Sequence, residues 1–220
     1  MTLIHYSPFK CWQCDTEGVY PTVLSRSGSG FDRQFWTDGE VTELLTPRSH
    51  PAVICPKCRE VHWIEDLEAS AQQGLIGSNQ SPDPVYPEAR DYFRYASSSE
   101  ANTAREVHVR ILGWRYSNDS RREDIENRKL TLGDPALDNL RALEALLPLQ
   151  SDYDHMLMAE VKRELSDFDG ALEVADQFFD TNPDRSGPVF LGLGFITILA
   201  EREDFNVMRI PEERTPRPCS

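Results

Sequence analysis

Between residues 9 and 63 the apolar positions fall in short runs broken by turn signals, at 20–24, 33–37, 41–45 and around Val53. Runs of that length predict short strands. Asp38-Gly39, set between Trp36-Thr37 and Glu40-Val41, predicts a two-residue type I′ hairpin, whose central positions both need positive φ. Residues 63–73 then predict a short exit helix, and 74–87 gather Gly, Ser, Asn, Gln and three prolines in the manner of a linker. Beyond it the apolar period becomes helical. Ala104, Val107, Ile111 and Trp114 recur at three- and four-residue steps, as do Leu137, Leu140, Leu143 and Leu147, and then Leu157, Val161, Leu165 and Phe168. Asp134-Pro135 and Ser151 read as helix starts, because each offers an N-cap acceptor and a proline costs no hydrogen bond in the first turn. Residues 189–200 are apolar almost all round a helix, which predicts an internal helix, with Gly192 and Gly194 marking close approach of its neighbours. The alternative is that one of its faces serves self-association or a partner. The pattern as a whole predicts an α+β chain. A small antiparallel sheet with its exit helix occupies 1–73, a linker 74–87, and an all-α region of helical hairpins 88–220.

So small a sheet cannot bury enough to fold without a staple, and the cysteines supply one. Cys11-Trp12-Gln13-Cys14 and Cys55-Pro56-Lys57-Cys58 are two Cys-x2-Cys knuckles, and four thiolates make a tetrahedral soft-ligand site suited to one structural zinc per chain. This predicts a zinc ribbon with metal ligands Cys11, Cys14, Cys55 and Cys58. A rubredoxin-type iron site shares the ligand set, but nothing else in the chain points to electron transfer. Such knuckles usually carry glycine after the second cysteine, where Asp15 and Arg59 stand here. The fifth cysteine, Cys219, has no partner motif.

The two widely separated pairs, the second containing Pro56, resemble the bacterial CpXC domain. Further on, residues 164–173 followed by Asn182-Pro183-Asp184 resemble the turn and second helix of a tetratricopeptide repeat. That resemblance runs over about 30 residues, with small residues at Ala159 and Ala171, an aromatic at Phe168 and the closing proline at Pro183. It departs at Lys162, Ser166, Ala175 and Phe178, and no second copy follows at the repeat spacing. It implies helix pairs and, on the first helix, a ligand-peptide row of Tyr153, Met156, Glu160, Arg163 and Glu164. A single hairpin packed into its domain, with no groove, is the plainer account.

Charge narrows the function. The 220 residues carry a formal net charge of -14, and residues 1–66 hold six Lys/Arg against nine Asp/Glu. Phosphate binding needs a basic patch, so a nucleic-acid-associated ribbon is disfavoured, and Arg121-Arg122 reads as a solvated pair. The longest apolar stretch, 189–200, is far short of the roughly 20 residues a bilayer span needs. With no basic, apolar leader at its start, the chain is expected to be a soluble cytoplasmic protein with reduced thiols. Cys55-Pro56-Lys57-Cys58 resembles a glutaredoxin-like redox motif, but no βαβ alternation follows it. A zinc deaminase needs His-x-Glu upstream of Pro-Cys-x2-Cys, and Ile54 precedes Cys55. Glu65-Asp66 and Glu212-Glu213 read as solvated charges, and His62 as a partly exposed strand residue near the second knuckle. The expectation is a non-enzymatic interaction or scaffold protein of bacterial type, with a protein or peptide partner and no membrane contact; an enzyme or thiol-redox protein with scattered site residues is the competing class.

Overall fold

The computed structural model describes residues 3–25, 33–43, 48, 50–70, 83–98, 103–123, 132–182 and 186–211. The fold is α+β, with antiparallel strand pairs toward the N-terminus and eight helices among the described residues. It divides into two compact units. The first takes residues 1–32 and 43–116, the second 33–42 and 117–220.

In the first unit β1 (Leu3–Lys10) pairs antiparallel with β2 (Glu17–Ser25), Phe9 facing Gly18 and Lys10 facing Glu17. Both strands hold a proline, Pro8 and Pro21, which a two-stranded ribbon tolerates because each strand has a free edge. β5 (Ala52–Ile54) pairs antiparallel with β6 (Val61–Trp63), and α1 (Ile64–Ser70) follows directly. Strand alternation decides where the side chains of β5 go. Ala52 and Ile54 join Val61, Trp63, Tyr92, Tyr95, Ala96 and Val109 in one core, while Val53 points to the other side among Phe9, Cys11, Tyr20 and Cys55. All three residues of β5 are buried as a result.

The first of those cores is built against α2 (Ala89–Ala96) and α3 (Thr103–Ser117), so these helices belong with the cysteine-bearing unit. The units therefore divide elsewhere than at 74–87. Helical period identifies a helix but not the core it joins, and Tyr92, Tyr95 and Val109 bury against Trp63. Of the expected linker, 74–82 lies outside the described residues.

In the second unit β3 (Arg33–Phe35) and β4 (Val41–Glu43) form a hairpin, and Trp36 bridges antiparallel to Arg209. The turn differs from type I′. Trp36 N donates to Glu40 O and Gly39 N to Trp36 O, and only Gly39 has positive φ, at 72°. The loop is thus three residues with glycine in the left-handed position. Asp38 sets it, because its Oδ1 accepts from Glu40 N at 3.2 Å while its side chain is buried.

The helices of this unit are α4 (Asp119–Glu123), α5 (Asp134–Leu146), α6 (Asp152–Glu164), α7 (Phe168–Thr181) and α8 (Pro188–Ala200). α6 lies in contact with α5, α7 and α8, which is why eight of its residues, Met156 to Val161 with Arg163 and Glu164, are buried. Ser151 and Asp154 make a reciprocal capping box at its start. The α5 cap is Gly133 rather than Asp134, and Pro135 sits in the first turn as expected. α6 ends at Glu164, and Asp167 caps α7, so Leu165 and Phe168 do not continue one helix.

The α6–α7 turn passes through Ser166 at φ 64°, the left-handed position where the repeat pattern carries glycine. A left-handed residue with a side chain costs about 1–2 kcal/mol, offset in part by the extra entropy glycine loses on folding. Ser166→Gly should therefore stabilise the chain by about 0.5–1 kcal/mol in a thermal melt, and a lower melting temperature would refute that account.

α8 only half fits the internal-helix expectation. Leu193, Ile196, Leu199 and Ala200 are buried, and a Cβ on Gly192 would lie 2.6 Å from Met156 Sδ, which is the close approach expected there. Phe195 is half-buried, however, and a Cβ on Gly194 would meet nothing within 4 Å. No described helix is long and apolar enough to cross a membrane.

Candidate metal centre

Each cysteine pair forms the same turn. Cys11 follows β1 and Cys55 follows β5, and each strand end leads straight into a tight loop. In the first, Asp15 N donates to Cys11 O at 2.8 Å and Cys11 N to Thr16 O at 2.9 Å. In the second, Arg59 N donates to Cys55 O at 3.0 Å and Cys55 N to Glu60 O at 2.9 Å. Asp15 and Arg59 have φ of 57° and 59°, so both keep the left-handed turn that glycine usually supplies. The Lys57 amide also donates to Cys55 Sγ at 3.4 Å.

The two knuckles bring four sulfurs together across 40 intervening residues. Cys11 Sγ lies 3.6 Å from Cys58 Sγ and Cys14 Sγ 3.5 Å from Cys55 Sγ, and all four fall within 4.8 Å of one another. Zinc–thiolate bonds of about 2.3 Å arranged tetrahedrally require sulfurs about 3.8 Å apart. The cluster fits one such ion. Cys11 and Cys55 are fully buried, Cys14 partly, and Cys58 lies at the open side. As free thiols they differ: the contact with Thr16 draws Cys14 down to about 6, while desolvation and the neighbouring sulfurs push Cys58 up to about 12. A metal would make all four thiolates and release the protons they hold. Among the described residues no other group of His, Cys, Asp or Glu has this geometry.

The surroundings are apolar and braced. Phe9, Tyr20 and Val53 pack around Cys11 and Cys55. His62, expected to be partly exposed, is buried beside Phe9, with ring centroids 4.7 Å apart, and its burial lowers its pKa. Among the described residues its buried Nε2 has no hydrogen-bond partner. Trp12, at the tip of the first knuckle, is 60% exposed.

The second knuckle is tied to α2. Arg59 donates from Nε to Asp91 Oδ1 at 3.2 Å and from Nη2 to Asp91 Oδ2 at 2.6 Å, and Arg94 donates to the Arg59 carbonyl. Asp91 is buried and also accepts from Glu88 N at 3.0 Å, which closes the α2 capping box. Burial works against its charge, but the Arg59 bond and the Glu88 amide outweigh it and hold its pKa below the usual carboxylate range. A depressed folded-state pKa contributes stability above the unfolded value, lost as pH falls through the folded value. Asp91→Asn should cost about 1–3 kcal/mol at neutral pH, scaled for the partly exposed Arg59, and the difference should shrink as pH falls through the depressed folded-state value of Asp91. A penalty that stays constant down to full protonation of the carboxylates would show that charge is not the cause.

The proposed peptide row lies elsewhere, and most of it is internal. Met156, Glu160, Arg163 and Glu164 are buried, and only Tyr153 is open, its hydroxyl donating to Gly39 O at 3.1 Å. Arg163 donates to Glu160 through Nε at 2.8 Å and Nη2 at 2.6 Å, and to the carbonyls of Asp204 and Asn206. Glu164 accepts from Asn118 Nδ2 at 3.1 Å and Arg121 Nη1 at 2.9 Å. Arg122 pairs with Asp38 and with Asp119. Burial pushes Glu164 up to about 7, with Glu160 and Asp38 adding to the shift against the pull of Arg121 and Arg163. Arg121 and Arg122, expected on a solvated face, are thus buried and paired within this network. Glu65 and Asp66 do lie at the surface, both paired with Arg105 at 3.0 Å. Glu212, Glu213 and Cys219 lie outside the described residues.

No protein-family model matches this chain, and none of the curated proteins and none of the solved structures matches it. The metal centre and the α6–α7 hairpin therefore rest on this chain's own residues.

Proposed function

We propose that this is a non-enzymatic scaffold protein whose cysteine cluster holds one structural zinc and whose work is to bind another protein. The observation that carries the reading is the closed four-sulfur site. Four thiolates fill a tetrahedron and leave no position for a substrate or a reactive water, which is how structural rather than catalytic zinc is held. No βαβ alternation follows the glutaredoxin-like Cys55-Pro56-Lys57-Cys58, and nothing else in the sequence points to electron transfer, which favours zinc over iron. Trp12, exposed at a rigid knuckle tip, suits a contact residue, since tryptophan is enriched among interface anchors. The spacing of the cysteine pairs and the need for reduced thiols favour a bacterial, cytoplasmic setting.

Elemental analysis of purified chain should find about one zinc per molecule. Capture from a native lysate should recover a partner that Trp12→Ala loses while the metal is retained. A folded protein with four titratable thiols and no metal would overturn the zinc reading, a coloured iron site would reassign it, and metal-dependent turnover of a small substrate would overturn the non-enzymatic one.

A further inference from the structure

The four sulfurs of the cluster differ in what can reach them. Cys11 and Cys55 are fully buried and Cys14 is partly buried, but Cys58 is exposed, with Pro56 and Lys57 exposed beside it. Buried structural cysteines are inert, whereas accessible thiolates react with oxidants. The second knuckle presents that accessible sulfur on a loop fixed from behind, since Arg59 N donates to Cys55 O and the Arg59 guanidinium is tied to Asp91 of α2. The sulfurs also pair across the knuckles. Cys58 Sγ lies 3.6 Å from the buried Cys11 Sγ, and Cys14 Sγ 3.5 Å from Cys55 Sγ. An accessible thiolate with a buried one in reach behind it is the arrangement of a peroxide-reactive cysteine and the cysteine that resolves it.

We propose that Cys58 is an oxidation site, at which a peroxide joins Cys58 to Cys11 as a disulfide and so releases the metal from the cluster. The inference rests on the zinc reading above, because ligation is what holds both sulfurs as thiolates, and it assigns a control to that same site. The chemistry balances with hydrogen peroxide as the oxidant. Cys58 Sγ attacks one peroxide oxygen, the O–O bond breaks, and hydroxide leaves with the electron pair, which makes Cys58 a sulfenic acid. Cys11 Sγ then attacks the Cys58 sulfur, the S–O bond breaks, and a second hydroxide leaves. The two thiolates together lose two electrons, the peroxide gains them, and both hydroxides take protons from water. Only Cys14 and Cys55 then remain as thiolate ligands, half of the set a structural zinc needs. This is one stoichiometric event per site and not catalysis, so it needs no βαβ scaffold.

The structural outcome differs from that of chelation. The disulfide bridges residues 47 apart in sequence, so a covalent link takes over the joining of the two knuckles as the metal leaves. The two sulfurs close from 3.6 Å to a bond of about 2.05 Å. Trp12 follows Cys11 directly and is exposed, so the movement is passed to the proposed contact residue.

The test uses the purified full chain, with its zinc content measured before any oxidant is added. Hydrogen peroxide in small excess should release about one zinc per chain, read with a metal-binding dye, and peptide mapping should find Cys11 joined to Cys58. Far-ultraviolet ellipticity should hold where a chelator lowers it. Iodoacetamide should label Cys58 of the loaded chain at least about tenfold faster than Cys11 or Cys55. Cys58→His keeps four zinc ligands while removing the exposed sulfur, and it should hold its zinc under the same peroxide at least about tenfold longer than the parent. Zinc that stays bound to the parent overturns the proposal and leaves the zinc reading intact. So does release with a different cysteine pair joined, or a loaded Cys58→His chain that loses zinc as fast as the parent. If Cys58→His fails to load zinc, the disulfide map of the parent decides alone. A chain that carries no zinc at the outset overturns both readings.

Discussion

Replacing Cys55 by Ser, or stripping the metal with a chelator, should unfold the first unit and remove α1, α2 and α3 together while α5 to α8 persist. The magnitudes decide this. Structural zinc contributes about 10–16 kcal/mol in small metal-stapled domains, comparable to or larger than the roughly 5–15 kcal/mol by which a domain is stable at all. Loss of the ion leaves Cys11 and Cys55 as buried thiols with no bond joining the two knuckles. The damage does not stop at the strands. Ala52 and Ile54 of β5 pack with Tyr92, Tyr95 and Val109, so the short sheet and the helices share one core. α1, α2 and α3 hold 7, 8 and 15 residues, about a third of the described helix, and far-ultraviolet ellipticity should fall by that fraction. The hairpin 33–42 lies between the knuckles in sequence, yet its bonds run to Arg122, Met208 and Arg209 within the second unit. Freeing the ends of that segment lengthens a loop, which costs only about 0.6 kcal/mol per doubling. The second unit should therefore melt separately. A single cooperative loss of all helix on metal removal would show one folding unit and refute the division.

What could be read from the chain was set by local spacing. Two Cys-x2-Cys pairs mark which four sulfurs come together because a knuckle is a turn of a few residues, and the positive φ of Asp15 and Arg59 shows that glycine is not required in that turn. The α5 and α6 helices follow from their apolar period and starting residues, and α8 from its nearly unbroken apolar run. Strand β1 escaped notice because Pro8 interrupts its alternation, and β6 showed only as a strand position at His62, because three residues running straight into α1 carry too little pattern to stand apart from the helix. Partners distant in sequence were the larger gap. A period shows that Tyr92, Tyr95 and Val109 lie on an apolar face, but it cannot show that the face meets Trp63 rather than α5. Likewise Arg121 and Arg122 look like any surface pair until Glu164, 43 residues from Arg121, and Asp38, 84 residues from Arg122, are placed beside them. The repeat resemblance located the α6–α7 hairpin and its close-packed Ala159 and Ala171, both buried. It misassigned the face of α6 that carries Glu160, Arg163 and Glu164, since in this chain α8 and the segment 204–206 occupy the space a peptide would use.

Arg163→Ala should be among the most damaging single changes in the second unit, at about 3–5 kcal/mol, although arginine is ordinarily a surface residue. Its side chain is fully buried, paired through two nitrogens with an equally buried Glu160, and it also donates to the carbonyls of Asp204 and Asn206. Truncation leaves the Glu160 carboxylate without its cation and two carbonyls without their donor. Water cannot reach these groups without opening the packing of α6. Burial raises the cost of the Arg163 charge, but Glu160 and then Glu164 and Asp204 outweigh it and raise its pKa, so the guanidinium stays charged throughout the usual pH range. Arg163→Lys should recover only part of the loss, because an ammonium cannot match the planar two-nitrogen pairing and still reach both carbonyls. Replacing Arg163 and Glu160 together by Met and Leu should cost much less than Arg163→Ala, since an apolar pair removes the desolvation penalty along with the attraction. Thermal melts of the three variants separate this account from the peptide-groove reading of the same residues. If Arg163 faced a ligand, Arg163→Ala would fold with nearly the parent's melting temperature and lose only partner binding.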